Sequence, residues 1–202
     1  MDTLSAAAAG FGLGLSLIIA IGAQNAYVLR QGIRGEHVGV IVMICAVSDA
    51  VLIAAGISGV GFVIESAPGV ITAIRIVGAA FLITYGVMAA RRALNPQTLT
   101  TENDGGTSFR KAVLTAFALT WLNPHVYLDT VLLLGSVANT HGGDRWAFGV
   151  GAAIGSVAWF STLGFGAGLL RGIFARPVAW RILDAMVALV MIALGAMLIA
   201  QS

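Results

Sequence analysis

Asn123, Pro124, His125, Tyr127 and Asp129 crowd into the run Thr120-Trp121-Leu122-Asn123-Pro124-His125-Val126-Tyr127-Leu128-Asp129, inside a segment otherwise apolar enough to cross a membrane. A proline there removes a helix hydrogen bond, and an aspartate in hydrocarbon costs roughly 2.5–3.5 kcal/mol on insertion scales. Such groups persist where they face a protein interior or a water-filled path, so the run implies an interrupted helix beside a transport site. If Pro124 breaks the helix, a half-helix starts there, and its free amides suit an anion such as a carboxylate. Asp129 follows roughly one and a half turns deeper and suits a cation or a proton. His125 is a candidate proton relay, with a hydrogen-bonded packing histidine as the equal alternative.

Other polar groups stand in apolar surroundings. Asp49 lies about eleven residues into a second apolar window, close to the bilayer centre, and its neighbour Ser48 is the expected hydrogen-bond partner. Gln24 and Asn25 end the first window and offer both donors and acceptors. Asp184 follows Arg181 by three residues, the spacing of a structural pair on one helix face. Gly10-Gly14, Gly151-Gly155 and Gly164-Gly166-Gly168 read as helix contacts. The single cysteine, Cys45, sits in an apolar run and reads as packing. The chain has no Walker loop, dinucleotide fingerprint or paired-cysteine metal motif, so no metal and no cofactor is expected. Gly56-Ile57-Ser58-Gly59 resembles a nucleophile turn only superficially, because His141 falls in a loop and His125 within the Asn-Pro break, leaving no histidine placed to act as base; the chain does not read as an enzyme.

The elements that must position these groups are membrane helices. Of the 202 residues only 10% are charged, against about 25% in soluble domains, and the mean hydropathy is +0.94. Asp2 and the lack of any Lys or Arg before the first apolar run exclude a cleavable signal, so that span is expected to stay. Windows of roughly twenty residues fall near 4–28, 38–64, 68–90, 112–137, 146–170 and 178–200. The polar segment 91–111 separates two sets of three: a first repeat of about 1–90 and a second of about 112–202, in one transmembrane domain. Arg30 and Arg34, then Arg91, Arg92, Arg110 and Lys111, then Arg171, Arg176 and Arg181 follow the odd-numbered spans, whereas the other side holds only Arg145 and Arg75. The positive-inside rule makes the basic loops cytoplasmic and both termini external. Gly22 to Leu29 resembles Leu122 to Asp129 with the tyrosines in register, and Arg75 to Ala79 resembles Arg181 to Ala185. The expected fold is therefore an all-α integral membrane protein of six transmembrane helices, arranged as two inverted three-helix repeats with the site at their interface and spans one and four as candidates for interruption.

The words Gly22-Ala23-Gln24-Asn25-Ala26-Tyr27-Val28-Leu29-Arg30-Gln31-Gly32-Ile33, Ser48-Asp49, Leu119 to Asp129 and Arg145-Trp146-Ala147-Phe148 together resemble the LysE/ArgO family of bacterial basic amino-acid exporters. The resemblance covers essentially the whole chain. It implies an exporter of L-lysine or L-arginine in the cytoplasmic membrane, with Asp49 and Asp129 at the family's acidic positions and Asn25 and Asn123-Pro124 at its helix breaks. Two positions depart from the pattern. Ala23 stands where the family usually has proline, which leaves the break of span one open, and Asp184 stands where family members carry asparagine.

The resulting expectation is a substrate site of Gln24, Asn25, Asp49, Asn123, Pro124, His125, Tyr127 and Asp129. The cationic end of the substrate would rest on Asp49, Asp129 or both, and its carboxylate on amides near Pro124, as the halves rock. Expelling a cation against an inside-negative potential costs about 2.3 kcal/mol per 100 mV, so exchange for protons at Asp49 or Asp129 is the expected coupling. Expected partners are the basic amino acid, protons and the lipid bilayer, with a homo-oligomer open and no nucleic acid. The alternatives are export of another small solute, a neutral amino acid or a divalent metal cation, and a scaffolding subunit that moves nothing.

Overall fold

The computed structural model describes residues 2–19, 22–59, 68–94 and 106–200, and every element among them is helical. In order these are α1 (Thr3–Ile19), α2 (Ala23–Arg34), α3 (Val38–Ile57), α4 (Pro68–Leu94), α5 (Phe109–Trp121), α6 (Pro124–Val126), a π-helical stretch (Tyr127–Leu134), α7 (Gly135–Thr140), a 3-10 turn (Gly142–Asp144), α8 (Arg145–Gly166), a 3-10 stretch (Ala167–Ala175) and α9 (Pro177–Ala200). The expected linker is shorter than 91–111, because α4 runs on to Leu94 and α5 starts at Phe109; positions 95–105, like 60–64 of the second window, lie outside the described residues.

Four helical runs are long and apolar enough to cross a membrane, Val38–Ile57, Ile76–Leu94, Gly142–Phe174 and Pro177–Ala200, and α1 with α2 makes a fifth if counted as one bent span. The fourth expected crossing, 112–137, fails this criterion. Its window is divided into pieces of 13, 3, 8 and 6 residues, each short of the roughly 20 needed to span hydrocarbon alone.

Packing depends on main chains that touch. A side chain at Gly10 would overlap the carbonyl oxygen of Phe148, and one at Gly151 that of Ala7, so α1 and α8 meet backbone to backbone. A Cβ on Gly56 would lie 2.6 Å from the Val131 carbonyl, which draws the π-helical stretch equally close to α3. Of the expected glycine contacts, Gly166 and Gly168 prove to face open space, because the helix has tightened into the 3-10 stretch there. The buried core holds Tyr27, Val28, Ile41, Leu82, Phe160 and Met191, with a second cluster around Ile57, Leu134 and Phe148. Met43, Val47 and Val51, one helical turn apart on α3, point outward more than half exposed, as lipid-facing side chains do.

The arginines collect at one end of the bundle. Arg171 Nε donates to the Ile33 carbonyl (3.1 Å), and Arg181 Nε to the Ala93 carbonyl (3.0 Å). Asp184 therefore does not pair with Arg181 as the spacing suggests; its carboxylate takes Arg30 and, at 3.2 Å, Arg92, which α2 and α4 bring across the bundle. At the same end the α2–α3 turn clasps the start of α5. Gly35 closes α2 with φ 71°, and His37 adopts φ 53°, a left-handed conformation uncommon for a side chain of this size. The turn then presents His37 Nε2 to the Thr107 carbonyl at 2.8 Å, while Glu36 accepts the Thr107 N–H at 3.1 Å and pairs with Arg34 at 3.1 Å. Burial pushes the Glu36 carboxyl up, but these hydrogen bonds outweigh it and hold the group below the ordinary glutamate range.

α2 begins without a proline. Gly22 is extended (φ −120°, ψ 174°), and Ala23 occupies the first helical position, where a missing N–H is tolerated and proline's fixed φ fits. Ala23→Pro is therefore expected to leave the amount of inserted protein and its thermal midpoint within a few degrees of the parent; severe loss in a detergent unfolding assay would contradict the break. For Glu36, a lowered folded pKa means that its contribution is present above roughly pH 4.3 and is lost as pH falls through the lower folded value. The gap in thermal midpoint between the parent and Glu36→Gln should be full at pH 6 and close below about pH 4; a gap constant across that range would contradict the assignment.

Candidate functional site

The polar groups converge because two helices stop in mid-bundle. The axes of α1 and α2 meet at 81°. α5 ends at Trp121, and Asn123 with Pro124 opens the segment that continues through the π-helical stretch. Each break frees carbonyls that hydrocarbon cannot satisfy, and side chains of the following segment take their place. Asn25 Nδ2 donates to the Ile18 carbonyl at 2.6 Å, and the Tyr127 hydroxyl donates to the Trp121 carbonyl at 2.9 Å. Asn123 Oδ1 accepts the His125 N–H at 3.2 Å, a side-chain cap on the segment that starts at Pro124.

Between the breaks lies a cavity of about 270 Å³, near the lower end of the ~300–1,000 Å³ typical of ligand pockets. Gly22, Gln24, Asn25, Asp49, Asn123, His125, Asp129 and Thr130 supply its polar wall, and Leu17, Ile18, Val126, Phe160, Leu194 and Met197 its apolar one. Six of the eight residues expected at a site thus line one space. Tyr127 does not; its hydroxyl is engaged with Trp121, which makes it a brace for the break. Pro124 contributes by its position at the start of α6.

Asp49, only 5% exposed, accepts a 2.7 Å hydrogen bond from Ser156 of α8. The expected partner Ser48 points elsewhere, its hydroxyl accepting the Trp121 indole N–H at 3.0 Å, because adjacent residues on a helix diverge by about 100°. Asp129 is half-buried on the π-helical stretch, whose wider turn is a feature common at functional sites. Among the described residues neither carboxylate forms an ion pair; all three ion pairs there use Asp184 or Glu36. Two further cavity-lining residues carry buried atoms without a protein partner, Gln24 Nε2 and His125 Nε2. A buried polar atom left unpaired is unfavourable, so this wall suits a guest that brings both donors and acceptors.

Sequence reasoning missed Ser156 and Trp159, both on α8. The Trp159 indole N–H donates to Asn25 Oδ1 at 3.2 Å, so α8 orients one residue beside the first break and, through Ser156, Asp49 on α3. Ser156 lies in a run of small residues that reads as packing; its hydroxyl in mid-span was the available signal.

Residues 15–202 match the sequence model of the family described as LysE type translocator. A Mycobacterium tuberculosis protein whose name marks it as a candidate amino-acid transporter is 48% identical over 93% of this chain and 94% of its own length. The lysine exporter LysE of Corynebacterium diphtheriae is 34% identical, over 97% of this chain and 99% of that one. The arginine exporter protein ArgO of Serratia proteamaculans is 39% identical over 90% of each. No solved structure matches.

Removing the Asn123 cap tests whether the second break is built as described. Asn123→Ala should lower stability by about 1–2 kcal/mol, read as a fall of several degrees in the thermal midpoint in detergent. An unchanged midpoint would mean that another group caps the segment.

Proposed function

Because this chain belongs to the LysE family of translocators, we propose that it exports L-arginine, L-lysine or both, by proton-coupled alternating access through the cavity between the two helix breaks. The observation that carries the reading is a cavity bordered by two carboxylates, Asp49 and Asp129, that no protein cation neutralises among the described residues. The family and the relatives named as lysine and arginine exporters support amino-acid export.

In this reading the substrate's side-chain cation lies between Asp49 and Asp129. A guanidinium can engage a carboxylate through two parallel hydrogen bonds, whereas an ammonium acts as a point charge. The α-carboxylate lies toward the segment that begins at Pro124, where His125 Nε2 and the Gln24 amide are available as donors. Val126, Phe160, Leu194 and Met197 contact the aliphatic stem. Proton and substrate compete for the same acids, so a carboxylate that has released its cation outside returns carrying a proton. That exchange cancels the electrical work of about 2.3 kcal/mol per 100 mV that would otherwise draw basic amino acids inward.

The orientation belongs to the same proposal. The end that gathers Arg30, Arg34, Arg92, Arg171 and Arg181 faces the cytoplasm of a bacterial inner membrane, and both termini lie outside. The broken segment from α5 to α7 counts as the sixth crossing. The arrangement of six crossings as inverted repeats is supported by paired roles: α1 lies on α8 while the π-helical stretch lies on α3, and each half carries one break stopped by an Asn or Tyr side chain.

Cells lacking their own basic amino-acid exporter, fed dipeptides containing arginine or lysine, should release the amino acid at least about tenfold faster with this protein than without it. Asp49→Asn or Asp129→Asn should bring release to background while the protein remains inserted. Full release from both single variants would refute the site, and equal release of a neutral amino acid would move the substrate class away from cations.

A further inference from the structure

One carboxylate away from the cavity lining binds two arginines. Asp184 on α9 is 4% exposed. It pairs with Arg30 of α2, whose side chain is 12% exposed, and with Nε of Arg92 on α4 at 3.2 Å. Each guanidinium also lies over an aromatic face, Arg30 at 5.5 Å from the Trp180 ring and Arg92 at 5.7 Å from Tyr85. Two cations share one anion, so the cluster carries a surplus positive charge, and Arg92 Nη2 is buried with no acceptor.

Position gives the cluster its meaning. Along α9, Leu194 and Met197 of the cavity wall lie ten and thirteen residues beyond Asp184, roughly 15–20 Å at 1.5 Å per residue. Along α2, Arg30 lies five residues beyond Asn25, roughly 8 Å, toward the basic end. The cluster therefore stands between the cavity and the basic end, and it joins helices that precede and follow the linker. Between the two, α2 turns a polar stripe inward: Gln24, Tyr27 and Gln31 share one face and are all buried. Gln31 Oε1, like Gln24 Nε2, has no partner. Between them the Tyr27 hydroxyl donates to the Ala112 carbonyl at 3.3 Å, so the stripe carries an orphaned amide atom at each end, which solvent would satisfy.

We propose that Arg30, Asp184 and Arg92 form the inner gate of the transport path, opening of which connects the cavity to the basic end along Gln24, Tyr27 and Gln31. This rests on the proposed function for the identity of the cargo and the orientation of the membrane. Closed, the gate holds α2, α4 and α9 together through Asp184, and its surplus charge repels a cation that would re-enter the cavity's inner side under an inside-negative potential. Open, it releases Asp184 toward the incoming basic amino acid while the two arginines turn to the aqueous interface. Asp184 thus supplies a closure, with no part in holding the substrate at the cavity.

The test reads access without any amino acid present. In a Cys45→Ala background, Leu194→Cys places a single thiol on the cavity wall, and its reaction with a membrane-impermeant methanethiosulfonate is timed in sealed right-side-out and inside-out vesicles. With the gate intact, labelling should be fast from the outer face and slow from the cytoplasmic face. Asp184→Asn should raise cytoplasmic-face labelling about tenfold. If Asp184→Asn does not insert, the pair Arg92→Gln with Asp184→Asn keeps the cluster's net charge and should give the same rise. The swap Arg30→Asp with Asp184→Arg, which restores opposite charges across α2 and α9, should return labelling to the slow rate. Unchanged cytoplasmic labelling in the inserted gate variants would overturn the gate, whatever the export assay shows. A gate-dependent change in labelling in a protein that exports no basic amino acid would support the gate and sink the proposed function separately.

Discussion

Backbone polar groups in hydrocarbon must be satisfied within the chain, and the architecture around the cavity follows from how that demand is met at two interrupted helices. The carbonyl freed at Ile18 is taken by Asn25, and the one freed at Trp121 by Tyr127. In both cases the donor comes from the segment after the break, so the two halves of each interrupted helix are tied to one another while bending apart. The bend turns Gly22, Gln24, Asn123 and His125 toward a common space. Asp49 and Asp129 reach that space from α3 and the π-helical stretch.

The three intramembrane acids are treated differently, and the difference is one of neighbours. Asp184 has two guanidiniums and two aromatic faces beside its arginines. Asp49 has a hydroxyl from Ser156, and Asp129 stands half-buried without an ion pair. A carboxylate already neutralised by fixed cations has little attraction left for a mobile one. The two that lack such partners sit beside empty volume, which is where charge on a solute has most to gain.

Much of this was legible in the sequence. Asn123-Pro124 in an apolar window announces a break, because proline cannot continue the hydrogen-bond ladder, and Asp49 announces a site because an acid in mid-membrane is unfavourable without a purpose. Gln24, Asn25, His125 and Asp129 joined them at one cavity as expected. What the sequence hid was partnership between distant segments. Local spacing paired Asp184 with Arg181 and Asp49 with Ser48, whereas the real partners come from α2, α4 and α8. The break at Gly22 was obscured for a related reason: without proline it is set by tertiary contacts of Asn25 with Ile18 and Trp159, which no local pattern encodes. Of the six expected crossings, four unbroken runs and one bent pair have the apolar length to cross among the described residues, because the window 112–137 is divided into short pieces.

The places where main chains touch restrict how the molecule can deform. α1 rests its backbone on α8, and the π-helical stretch rests its own on α3 and, through Gly135, on Gly56. Each contact couples a segment that precedes the linker to one that follows it. α4 and α9 also meet closely, Gly86 against Ile192 and Met191 and Gly195 against Ile83 and the Ala79 carbonyl. These contacts therefore interlace the first and second halves of the chain, each half lending an arm to the other. Widening the vestibule without prising these contacts apart therefore calls for flexing at Gly22 and Asn123, the joints that form its own walls.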